Sequence, residues 1–144
     1  MSLSKRVVLA VLCLIVVAVA ASSAAAAPNP KRGTGTARLR PPASSDEPRA
    51  SGVAHLDVTW YTYRPPPAAS GTLSVSCRWL TPGATYSVRV DTQRCATGTA
   101  DDRGGLLVAG NWGSYMWPSS VAVYRVEETG PVLVLSGDIA WAYP

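Results

Sequence analysis

Residues 72–91 read TLSVSCRWLTPGATYSVRVD. Before the Pro82-Gly83 pair, Leu73, Val75, Cys77 and Trp79 alternate with Thr72, Ser74, Ser76 and Arg78. After it, Tyr86, Val88 and Val90 alternate with Ser87, Arg89 and Asp91. This period of two belongs to a strand with one buried face, because successive side chains point to opposite sides of a sheet. Proline presets its own φ and glycine supplies turn conformations, so the pair ends one strand and lets the next begin. The expected inward set is Leu73, Val75, Cys77, Trp79, Tyr86, Val88 and Val90.

The same period extends outward in both directions. Upstream, Ala54, Leu56, Val58 and Trp60 share one face, and His55, Asp57, Thr59 and Tyr61 the other. Pro65-Pro66-Pro67 breaks that strand. Downstream come a short strand over 95–99, a turn at Asp101-Asp102-Arg103-Gly104-Gly105, a strand over 106–109 and a loop over 110–119. A hairpin pairs 121–126 with 132–135, and Ile139, Trp141 and Tyr143 mark a last strand. No segment has a helical period. Seven to eight short strands at regular spacing predict an all-β fold, a small antiparallel β-sandwich over 53–144. The chain has no Phe, so Trp60, Trp79 and Trp141 are expected in the core.

The N-terminal part has a different composition. Lys5 and Arg6 precede an apolar run from Val7 to Ala21, and Ser22 to Ala27 are all small. Charge, apolar core and small-residue site in that order predict a signal peptide over 1–26, cleaved after Ala26. The competing reading is an uncleaved anchor, since about 20 apolar residues span a bilayer. Residues 27–52 are rich in Pro, Gly, Ala, Ser and Arg, with Leu39 the one large apolar residue. Such a stretch buries too little to offset its ordering entropy and is expected to be a disordered linker.

Charge follows the same division. The whole chain carries +4. The expected linker holds five cations (Lys31, Arg32, Arg38, Arg40, Arg49) against Asp46 and Glu47, whereas residues 53–144 hold six arginines against seven acids. A nearly neutral domain argues against nucleic acid as a partner. The basic stretch could touch an anionic surface, or act as a solvated leader. Once Cys13 leaves with the signal, Cys77 and Cys95 remain, and in an oxidising compartment they are expected to form a disulfide contributing about 3 kcal/mol.

The segment Leu80-Thr81-Pro82-Gly83-Ala84-Thr85-Tyr86-Ser87-Val88-Arg89-Val90 resembles the L-x-P-G-x-x-Y-x-V-x-V stretch of fibronectin type III and related immunoglobulin-like domains. The resemblance implies that Tyr86 is a corner tyrosine whose hydroxyl bonds back to the turn backbone, with Leu80 as a core anchor. In that family the motif lies late in the domain. Here more than fifty residues follow Tyr86, so the resemblance implies sandwich architecture and not fibronectin topology.

Candidate chemistry is sparse. His55 is the only histidine, and Asp57 with Ser74 or Ser76 could complete a triad, but no nucleophile elbow accompanies them. Asp101 and Asp102 could offer oxygens to calcium, yet Arg103 opposes a cation and a plain turn suffices. Glu127 and Glu128 read as solvated turn residues, and Tyr63 to Pro67 as a kink rather than a polyproline ligand. The candidate binding loop is Asn111 to Pro118, with Trp112, Tyr115 and Trp117 available to stack on a sugar or anchor a protein, or to fold back over the core. The expectation is therefore a secreted or otherwise extracytoplasmic, non-enzymatic module with a structural or binding role, no cofactor and no metal. Its partner is unknown, with a cell-surface glycan or protein the candidates, and a membrane only if the signal segment is retained. A small secreted enzyme or inhibitor is a further alternative, without a motif behind it.

Overall fold

The computed structural model describes residues 31–61, 68–114 and 116–142. The expected signal, the Pro65-Pro66-Pro67 break and Tyr115 lie outside them. Eight strands form: β1 Lys31–Leu39, β2 Ser51–Tyr61, β3 Ala68–Arg78, β4 Thr85–Val90, β5 Gln93–Thr99, β6 Leu106–Ser114, β7 Ser120–Glu127 and β8 Gly130–Ala142. All pair antiparallel in the order β5-β4-β7-β8-β1-β2-β3-β6.

The long strand β8 makes two layers from one ribbon. Residues 130–138 pair with β7, and Ile139–Ala142 pair with β1. One layer is β5-β4-β7-β8 and the other β8-β1-β2-β3-β6. At the free ends β5 comes to lie on β6: a Cβ at Gly110 would collide with the Cys95 carbonyl. Glycine at that position lets the two backbones touch and closes the structure. The all-β, sandwich-like expectation holds.

The core is built from the predicted alternation. Ala54, Leu56, Val58, Leu73, Val75, Tyr86, Val88 and Val90 are buried, facing Val121, Val123, Val134 and Leu135 of β7 and β8. Each Val or Leu so buried contributes roughly 1.5–3 kcal/mol. At the predicted turn, Gly83 takes the left-handed φ of 75°. The Tyr86 hydroxyl accepts the Thr81 N–H at 3.0 Å, tying the turn to β4.

Four expectations are corrected. Residues 31–52 are not a linker: β1 is an interior strand between β2 and β8, with Ala37 and Leu39 in the core. Trp79 is not core. The chain leaves β3 at Arg78, Trp79 turns to a φ of 61°, and the residue is 63 % exposed. That reversal shifts the alternation by one, so Leu80 is buried instead. The loop over 110–119 begins only after Ser114, because Asn111 to Ser114 extend β6 along Thr72 to Ala69. The hairpin's second strand and the last strand are one continuous β8.

Candidate functional site

Four of the five tryptophans gather at one end of the five-stranded layer, where β1 begins. Trp60 stacks on Trp117 at 5.1 Å, Trp117 and Trp141 pack in a T-shape at 5.0 Å, and Trp112 tilts against Trp141 at 6.4 Å. Trp141 donates its indole N–H to the Pro118 carbonyl at 2.9 Å. Trp112 is only 3 % exposed. The aromatic face expected to greet a ligand is largely spent on other tryptophans, a packing each pair favours by about 0.5–1.5 kcal/mol beyond its buried area. Trp117 is half-buried, and Met116 beside it is exposed.

The expected disulfide is absent: Cys77 and Cys95 are separate thiols. Register explains the separation. Cys77 is paired with Leu106, while the Cys95 backbone lies over Gly110, four residues further along β6. At about 3.3 Å per residue the two cysteines are offset by about 13 Å along the sheet. A disulfide needs Cα atoms within about 7 Å. Burial pushes the Cys77 thiol up to about 12, and raises that of Cys95, which donates to the Gln93 carbonyl at 3.2 Å.

His55 projects from the exposed outer face of β2, with Thr36 of β1 and Ser74 of β3 as its cross-strand neighbours. Among the described residues it forms no hydrogen bond with Ser74, Ser76 or Asp57. Asp57 instead accepts from Thr72 at 3.4 Å. The outer face continues as level rows, Thr36–His55–Ser74–Ala109 and Thr34–Asp57–Thr72–Asn111. The acids of the turns have local duties. Asp101 accepts the Arg103 and Gly105 N–H groups at 2.8 Å each, which lowers its pKa. Asp102 and Glu128 are exposed. Asp91, at a φ of 50°, takes both the N–H and O–H groups of Ser119 and Ser120 on one oxygen.

A polar cluster that sequence reasoning missed lies beneath the Thr81–Tyr86 corner. Glu47, 8 % exposed, accepts on Oε1 from Tyr86 at 2.8 Å, Thr81 at 2.9 Å and Arg125 at 2.6 Å. Arg125 also pairs with Asp46 and with Glu127. The Asp46 hydrogen bond, then that of Glu127, holds the guanidinium still further above its ordinary range, and Arg125 in turn lowers the Asp46 carboxyl. The available signal was the acidic pair Asp46-Glu47 inside a basic stretch.

At the opposite end of the layer from the tryptophans, an open groove of about 570 Å³ runs over β1, β2 and β3. Arg38, Arg40 and Arg78 line it together with Ser51 and Ser76. The register places Arg38, Val53 and Ser76 in one row, with Ser51 and Arg78 paired in the next. Arg40 follows β1 into that second row, held by reciprocal backbone bonds to Ser136. Arg78 donates from Nε to Ser51 Oγ at 3.1 Å. Every ion pair among the described residues centres on Arg125, so the three groove arginines have no acidic partner there. Neither protein-family models nor curated proteins match the chain.

Proposed function

We propose that the chain is an exported, non-enzymatic β-sandwich module with a binding role, presented on the open outer face of the β1-β2-β3-β6 layer. The observation that carries this reading is the division of labour among polar groups. Glu47, Asp91 and Arg125 fasten loops to strands, and Asp101 closes its own turn. The outer face keeps level rows of Thr, Ser, His and Asn directed to solvent. The Tyr86–Thr81 bond is what a corner tyrosine would make, which supports the local resemblance to fibronectin type III domains. The aromatic-loop reading is the weaker alternative, because Trp112 is buried.

The test is intact mass of the chain produced in an exporting host. A soluble extracytoplasmic product starting near Ala27, alkylated at two cysteines after denaturation without reduction, is expected. A full-length chain left in the cytoplasm overturns the export reading. Hydrolytic turnover that disappears in His55→Ala overturns the non-enzymatic one.

A further inference from the structure

We propose that Arg38, Arg40 and Arg78 hold the acidic groups of an anionic polysaccharide lying across the outer face of β1, β2 and β3; this rests on the binding role proposed above. The three side chains come from two strands separated by β2, so the site exists only once β1 is paired into the layer. Adjacent rows on a face are about 7 Å apart, and β1 and β3 stand about 10 Å apart across β2. Three guanidinium groups thus cover a footprint wider than one small anion. A guanidinium fork matches the two oxygens of a carboxylate, sulfate or phosphate. The Ser51 bond restrains Arg78 through Nε and leaves its two terminal nitrogens without a protein partner among the described residues.

Charge complementarity decides the sign of the ligand. Asp138 occupies the β8 position next to Arg38 by continuation of the Ala37–Ile139 register, but it forms no ion pair with it. Three guanidinium groups against that one carboxylate leave the patch positive. The shape favours a polymer. The groove is open, and beyond Ser76 the face continues without a wall through Ser74, His55 and Thr36. These groups can exchange hydrogen bonds with sugar hydroxyls. Val53 and Leu107 are exposed on this part of the face, and Trp79, directly after Arg78, is exposed at its end. One indole beside guanidinium groups suits a sugar ring, whereas a membrane surface calls for a larger apolar face, and the vesicle arm of the titration separates the two.

Calorimetric titration of the purified chain tests the inference, with dextran sulfate, polygalacturonate, neutral dextran, inorganic phosphate and phosphatidylglycerol vesicles as probes. The charged polymers should bind and neutral dextran should not. Replacing Arg38, Arg40 and Arg78 together by Gln should weaken polymer binding by at least about tenfold. Removing the same charge elsewhere, as Arg32→Gln with Arg94→Gln and Arg103→Gln, should change it by less than about twofold. A triple Lys replacement in the groove keeps the charge, folds if the Gln form does not, and should still bind at least about threefold more weakly, because the fork is lost.

Equal losses in groove and control variants, or an unaffected Lys form, would overturn the site. Inorganic phosphate binding as tightly as the polymers would reduce it to a small-anion site, and vesicle binding without polymer binding would assign it to lipid; either result overturns the polysaccharide. Failure in any of these ways leaves the module reading intact, since that reading fails only by cytoplasmic retention or His55-dependent turnover.

Discussion

Arg125 and the arginines of the groove use one side chain in opposite ways. Arg125 sits among Asp46, Glu47 and Glu127, and through Glu47 it joins Tyr86 and Thr81. It locks the segment before β2 onto β7 and the β4 corner. Arg38, Arg40 and Arg78 lie on the outer surface with serines and, among the described residues, no carboxylate partner. In a buried network, losing one member strands the others without water. A row of exposed cations carries no such penalty and stays available. The difference separates a guanidinium that holds the fold from guanidinium groups free to meet something outside it.

The comparison sharpens into effects of decreasing size. Arg125→Ala should have the largest, about 3 kcal/mol of lost stability, because Glu47 is left buried beside Asp46 without a cation. Adding Glu47→Gln should recover part of that loss, which denaturant titration of both variants would measure. If the two losses simply add, the pair is not coupled.

Tyr86→Phe should cost less, about 1 kcal/mol, by removing the hydroxyl bonds to Thr81 and Glu47. It should also alter the alkaline limb of the stability curve. Burial and then the Glu47 hydrogen bond raise the Tyr86 pKa above its ordinary 10.0, and burial pushes Cys77 from 9.0 to about 12. Both groups hold their protons more tightly in the folded state. Their contributions are therefore complete below pH 9.0–10.0 and are lost as pH climbs through the folded values. Urea midpoints from pH 8 to pH 11 should fall steeply for the native chain and less steeply for Tyr86→Phe and for Cys77→Ala.

The smallest effect belongs to the groove. Arg38→Gln or Arg78→Gln should shift stability by no more than about 0.5 kcal/mol, as exposed and unpaired charges do. A loss comparable to that of Arg125→Ala would show that these arginines are structural after all.

Alternation made β2, β3 and β4 readable, because their inward positions carry large apolar side chains such as Leu56, Leu73 and Val88. β1 was hidden because its inward positions are Gly35, Ala37 and Leu39. The small residues leave room for others: a Cβ at Gly35 would press on Ile139 and the Trp141 ring at 2.7–2.8 Å. The apolar volume lies on β8, so β1 looks polar when read alone. Two adjacent expected strands are in fact β8, while β1 is added, so the expected count of seven to eight was met partly by compensating differences.

The groove was hidden for the same reason. Arg38 and Arg40 read as tail residues until pairing set them beside Arg78. The disulfide expectation rested on cysteine number and an oxidising compartment, and neither carries register. Trp79 followed the alternation until a left-handed residue interrupted it, a change its own side chain does not announce.

The most direct test of this account is hydrogen exchange of the amides over Lys31 to Arg40 in the full chain. An interior strand bonded on both sides should exchange in step with β2 and β3, orders of magnitude slower than an open chain. That result would fix Arg38 and Arg40 in the row facing Arg78. Exchange of this segment at open-chain rates, while β2 and β3 stay protected, would return residues 31–40 to a linker and remove the groove with them.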